Sequence, residues 1–98
     1  ERCAEGVCEP VQTALALHSG HERAFLMSTG RAAMTLALRA LRELAPQRTD
    51  VLMPAYTCYS VPAAVKLAGL RPRLVDIDPA TLSPSSSALE AIDTSRAL

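Results

Sequence analysis

Ser28-Thr29-Gly30-Arg31 is where residue type and position first point to chemistry in this chain. A short apolar run ends there and a long amphipathic stretch begins at once. The layout aims the first backbone N–H groups of a helix into open space at the end of a strand. Unpaired N–H groups and the positive end of the helix dipole together attract an anion. Arg31 strengthens the case, because a cation in the first helical turn opposes the dipole at a cost of roughly a few tenths of a kcal/mol unless an anion is near. The competing reading is a capped helix whose Arg31 turns out to solvent.

The turn is neither a P-loop nor a dinucleotide fingerprint, since GxxxxGK[ST] is missing and one glycine stands where GxGxxG needs three. Such a turn has room for one phosphate group, as carried by pyridoxal phosphate or a sugar phosphate. Pro54-Ala55-Tyr56-Thr57-Cys58-Tyr59-Ser60 gathers aromatic and hydroxyl groups into a loop. There Thr57 is placed to donate a hydrogen bond and Cys58 or Tyr56 to cover a flat ligand. The alternative has the tyrosines packing on other parts of the protein, with Ser60 only a helix cap. No histidine is placed by sequence to activate Cys58 as a nucleophile.

Asp76 and Asp78 flank Ile77 and would share one side of a strand, an arrangement suited to Mg²⁺ or an acid/base pair. The more frequent role of such a pair is to cap the turn ahead of Pro79. His18 and His21 straddle Ser19-Gly20 and do not share a helical face, so they read as a polar turn rather than a metal site. Cys3, Cys8 and Cys58 contain no CxxC pair. A disulfide framework or zinc site is not expected, and a reducing cytoplasm is the default compartment.

The elements that would hold these residues follow from periodicity and punctuation. Residues 1–8 show no period. From Glu9-Pro10, the chain reads as a short helix closed by Gly20. Ala24 to Met27 reads as a strand. Met34, Ala37, Leu38, Leu41, Leu44 and Ala45 share one face of a helix over 31–45, with Ser28 or Thr29 as its cap and Pro46 as its stop. Val51-Leu52-Met53 is a second strand, cut off by Pro54. A helix capped by Ser60 follows, with Val61, Ala64, Val65 and Ala68 as its buried stripe and Gly69 as its end. Arg73 to Ile77 is a third strand, Thr81 to Ser87 a loop, and Ala88 to Ile92 the start of another helix.

Strand and helix alternating in this way imply βαβ units with right-handed crossovers. The expected fold class is α/β: a partial three-layer sandwich, a mostly parallel sheet with helices on both faces. Ligands of such sheets bind beyond the carboxyl ends of the strands. The 98 residues carry 10 basic and 10 acidic side chains, one Phe, two Tyr and no Trp, which gives neither a basic surface nor stacking platforms for nucleic acid. No apolar run approaches the ~20 residues of a membrane span. Glu1 opens the chain and Leu98 closes it within an Ala/Leu/Ser run, so both ends read as cuts.

STGRAAMTLALRAL, DVLMPAYTCYSVPAAVKLAG and RPRLVDIDPATL, in that order, resemble the N-terminal part of DegT/StrS-type aminotransferases. The resemblance runs from about Phe25 to Ile92. It implies a pyridoxal-phosphate enzyme of the aspartate-aminotransferase fold (fold type I), with residues 1–22 as an N-terminal segment and 23–98 as an incomplete part of the cofactor-binding large domain. Carried over by position, the family's phosphate turn falls on Thr29, Gly30 and Arg31, with the N–H groups of Gly30 and Arg31 on the cofactor phosphate. Arg31 replaces the usual hydroxyl residue. The family's Thr-aromatic pair falls on Thr57 and Cys58, so a thiol stands where an aromatic usually stacks on the pyridine ring.

Lys66, the only lysine, lies mid-helix opposite the apolar stripe and does not match the family's Schiff-base lysine. The resemblance therefore implies a fragment inactive alone, taken from a cytoplasmic homodimer that uses an amino-acid donor and a keto sugar, nucleotide-linked in many members. Two alternatives stand beside it. One is a non-catalytic α/β module binding a phosphorylated ligand or a partner subunit; the other is a pyridoxal-phosphate-dependent sugar dehydratase of the same family.

Overall fold

A computed structural model describes residues 6–98, so residues 1–5, including Cys3 and most of the aperiodic opening stretch, lie outside the described residues. The described residues form a partial α/β fold of four helices and a two-stranded parallel sheet. Helix α1 spans Cys8–Ser19 and ends where Gly20 takes the left-handed conformation (φ 70°). Its N–H donates to the carbonyls of Ala16 and Leu17. Cys8 lies in the first turn of α1, and Cys58 is a free and exposed thiol.

Residues 24–27, expected to form a strand, join no ladder. Apolar composition does not make a strand; a neighbour with free backbone groups does, and β1 and β2 pair with each other. Phe25, Leu26 and Met27 are exposed. Helix α2 spans Gly30–Leu44, strand β1 Asp50–Pro54, helix α3 Ser60–Leu67, strand β2 Arg71–Val75 and helix α4 Ser86–Ala91.

β2 begins two residues earlier than its apolar content suggests, because Asp50 pairs with Arg71 and Pro54 with Val75. Pro72 sits inside β2 without breaking it. In a parallel ladder alternate residues bond to opposite sides, so the missing N–H falls on the outer edge. Gly69 (φ +75°) makes the tight turn from α3 into β2.

The core lies between α3 and the sheet. Met53, Val65, Ala68 and Leu70 are buried together, with Leu38, Val51, Val61 and Leu98 packed at the margin. Of the stripe expected on α3, Ala64, Val65 and Ala68 are buried and Val61 is partly buried. α2 packs on α3, and its apolar face is less covered: none of its residues is fully buried, and Leu44 is 82% exposed. Arg39 Nη2 donates to Leu67 O (2.9 Å) and Arg42 Nη1 to Ala68 O (3.2 Å), so two cations of α2 satisfy carbonyls at the end of α3. The radius of gyration, 16.3 Å, exceeds the roughly 13 Å of a compact domain of this length.

Candidate functional site

Thr29 is the N-cap of α2. Its extended backbone (φ −147°, ψ 154°) lets Oγ1 accept from Ala32 N–H at 3.1 Å, while its carbonyl accepts from Ala33 N–H at 3.0 Å. Of the two caps open in the sequence, Thr29 is therefore the one used. The cap leaves the N–H groups of Gly30 and Arg31 without a hydrogen bond among the described residues. A Cβ built on Gly30 would meet nothing within 4 Å, so the space in front of the turn is open. Arg31 is exposed and makes no ion pair among the described residues. A groove of about 410 Å³ runs from this turn along α2, lined by Met27, Thr29, Arg31, Thr35, Arg39 and Leu67 among others. Two free donors, a dipole end and an unpaired guanidinium suit one phosphate group.

Connectivity sets where the second segment lies. α2 leads into β1 through a five-residue link (45–49), so its N-terminus lies towards the end at which β1 stops. The Arg39 and Arg42 bonds to Leu67 and Ala68 join the C-terminal halves of α2 and α3, which agrees with that placement. The 55–59 loop leaves β1 at this end. Thr57 and Cys58 are exposed, and no hydrogen bond links either to the Thr29–Arg31 turn. Tyr56 and Tyr59 are exposed as well.

Ser60 is the first residue of α3 rather than its cap, which is Tyr59 with no side-chain cap bond. The Ser60 hydroxyl is engaged elsewhere: it donates to Cys58 Sγ at 3.1 Å. That bond, together with the Ser60 backbone N–H, holds the thiol below its ordinary range because both donors favour the thiolate. Sequence reading named Cys58 without its partner; the spacing Cys-x-Ser at a helix start was the available signal.

Two of the other candidates, Asp78 and His21, are engaged in local hydrogen bonds. Asp78 Oδ1 accepts from Ala80 N–H at 2.7 Å, capping the turn after Pro79. Ile77 forms an isolated antiparallel bridge with Pro84. Among the described residues, no group of three or more His, Cys, Asp or Glu side chains is placed to hold a metal ion. His21 N–H caps α1 by donating to Ala16 O at 2.9 Å. No helix among the described residues is long and apolar enough to cross a membrane.

One charged centre escaped sequence reading. Asp50 is 1% exposed at the start of β1. Its carboxylate accepts from Arg71 Nε (3.0 Å) and Nη2 (2.7 Å) and from Thr49 Oγ1 (3.0 Å), with Arg73 Nη1 at 3.6 Å. Arg71 lowers its pKa from 3.8 to about 2, against the opposing effect of burial. This centre lies at the amino end of β1, away from the loops a ligand would use. It belongs to stability.

No curated protein and no solved structure matches the chain. The model of the DegT/DnrJ/EryC1/StrS aminotransferase family matches residues 8–97. That span holds all four helices, both strands, the Thr29–Arg31 turn and the Thr57–Cys58 loop, and the chain belongs to this family.

Proposed function

We propose that the chain is the N-terminal part of a pyridoxal-phosphate-dependent aminotransferase acting on a keto sugar, nucleotide-linked, with an amino acid as nitrogen donor. The observation that carries the cofactor assignment is the pair of unpaired N–H groups at Gly30 and Arg31 on the capped N-terminus of α2. These groups would hold the phosphate, with the Arg31 guanidinium adding charge. Thr57 and Cys58 would form one wall of the ring pocket, where the thiol packs against the ring face instead of an aromatic. When bound, the cofactor supplies an electron sink for carbanion chemistry; this segment binds and orients it.

The same reading makes the 98-residue chain inactive alone. Lys66 is exposed on α3, and no other lysine is present to anchor the cofactor. Activity belongs to the longer protein, as a cytoplasmic homodimer. Spectroscopic titration with pyridoxal phosphate tests this. The longer protein is expected to develop a visible band from the cofactor-lysine linkage and the 98-residue chain none. Arg31→Glu in the longer protein is expected to weaken cofactor affinity at least tenfold, about 1.4 kcal/mol. Unchanged affinity would reject the phosphate assignment.

A further inference from the structure

Four arginines from separate stretches of the chain gather at the amino end of the sheet: Arg48 ahead of β1, Arg71 and Arg73 in β2, and Arg96 beside the start of β1. Asp50 needs only one of them. Arg71 serves both carboxylate oxygens, Nε on Oδ1 (3.0 Å) and Nη2 on Oδ2 (2.7 Å), and Thr49 Oγ1 adds a third donor (3.0 Å). The other three guanidiniums are held by neutral acceptors. Arg73 Nη1 donates to Asp93 O (3.3 Å), Arg96 Nη2 to Thr49 Oγ1 (2.8 Å) and Arg48 Nη1 to Ala97 O (3.0 Å). Such bonds need a donor and not a charge, so they explain where these side chains lie but not why they are cationic.

The charge gathered here exceeds what the fold neutralises. Arg73 Nη1 stands 3.6 Å from the Asp50 oxygen that Arg71 already occupies, and Arg48 and Arg96 form no ion pair among the described residues. Asp93 brings a second carboxylate, which accepts from Ser95 N–H (2.9 Å). Four cations therefore meet two anions, in a chain whose 10 basic and 10 acidic side chains balance. Arg48, Arg71 and Arg96 are exposed and Arg73 is half-buried. A guanidinium carries five N–H donors, and no more than two of them are engaged on any of the four.

We propose that this arginine patch docks an acidic peptide segment of a partner protein. Charge complementarity carries the choice, since a guanidinium fork pairs with a carboxylate through two parallel N–H bonds. Span decides against a lone anion. β2 and Ala97 flank β1 on opposite sides, so Arg71 and Arg96 stem from stretches about 10 Å apart. One phosphate reaches one such group and its neighbour, whereas acidic side chains two or three residues apart on an extended peptide recur about every 7–10 Å. Nucleic acid fits less well. Phe25, Tyr56 and Tyr59 lie outside these stretches, and a net charge of zero gives no long-range attraction for a polyanion. The patch is at the sheet end opposite the 55–59 loop, so the proposal stands apart from the cofactor reading.

Fluorescence anisotropy with labelled hexaglutamate, at about 50 mM salt, tests the patch. Saturable binding is expected, and its loss at about 0.5 M salt. Arg48→Gln and Arg96→Gln keep a neutral donor for Ala97 O and Thr49 Oγ1 while removing the charge. Together they are expected to weaken binding about tenfold or more, and Arg23→Gln, beside α1, by less than about twofold. No binding by the unaltered chain would overturn the proposal, as would equal losses in the two proteins, which would reduce the effect to net charge. Arginine Nε–H resonances of the unaltered chain make the test independent of how the variants fold. Those of Arg48, Arg71, Arg73 and Arg96 are expected to shift with hexaglutamate; shifts confined to Arg31 would place the peptide at the α2 turn and reject the patch. Displacement by inorganic phosphate at equal ionic strength, or equal affinity for a single-stranded oligonucleotide, would reject an acidic peptide as the occupant. Binding by the 98-residue chain but not by the longer protein would show that its own polypeptide covers the patch, and would overturn the partner.

Discussion

Arg71 grips Asp50 with two donors, Nε at 3.0 Å from Oδ1 and Nη2 at 2.7 Å from Oδ2, across the first register pair of the parallel sheet. The pair fixes the charge state of a buried carboxylate, and that has a consequence for stability against pH. The folded-state pKa of Asp50 lies at about 2, below its ordinary 3.8. Its contribution is therefore complete above pH ~4 and is lost as pH falls through about 2. Asp93, lowered by the N–H of Ser95, acts in the same direction. Urea midpoints measured from pH 7 to pH 2 are expected to drop mainly below pH ~4. Arg71→Met should flatten that drop; an unchanged acid limb would remove Arg71 as its cause.

The cap of α2 is separable from any phosphate role. Thr29→Ala is expected to cost about 1 kcal/mol in denaturant unfolding, and Thr29→Ser to restore most of it, because a hydroxyl on Ala32 N–H is what the site needs. Equal losses in the two variants would mean that the methyl group, not the hydroxyl, matters.

Core and surface apolar residues should respond differently. Met53→Ala removes a buried side chain between α3 and the sheet and should cost about 2–5 kcal/mol. Leu44→Ala, on the exposed end of α2, should stay within about 0.5 kcal/mol in the 98-residue chain. A large loss at Leu44 would mean that α2 is covered in solution.

Gly69 is held by conformation and by a neighbour. An added Cβ would strain the φ of +75° and run into the Arg42 guanidinium that bonds Ala68 O. Gly69→Ala should cost roughly 1–2 kcal/mol. Combined with Arg42→Ala the loss should be less than additive, since the clash is gone. Strict additivity in the double-mutant cycle would assign the whole cost to the backbone.

Cys58 should alkylate faster than an ordinary thiol near neutral pH, because the Ser60 donors favour its thiolate. Ser60→Ala should move the pH midpoint of alkylation upward. A midpoint that does not move would show that the 3.1 Å contact leaves the thiol unaffected.

What the sequence determined by itself is local. α2 was legible from its 3.6-residue period, from a cap at Ser28 or Thr29 and from Pro46 at its stop; α3 was legible from its stripe and Gly69. The Thr29–Arg31 turn was legible for the same reason, since a capped helix start is written in four adjacent residues. Features that need a partner distant in the chain were not legible. Residues 24–27 have strand composition but no neighbour, and β2 starts at Arg71 because Asp50 sets the register. The Asp50–Arg71 pair spans 21 positions, and the Arg96–Thr49 bond 47. Sequence periodicity reports which face of an element is apolar, whereas only the tertiary structure brings together the backbone edges and charges that meet across it.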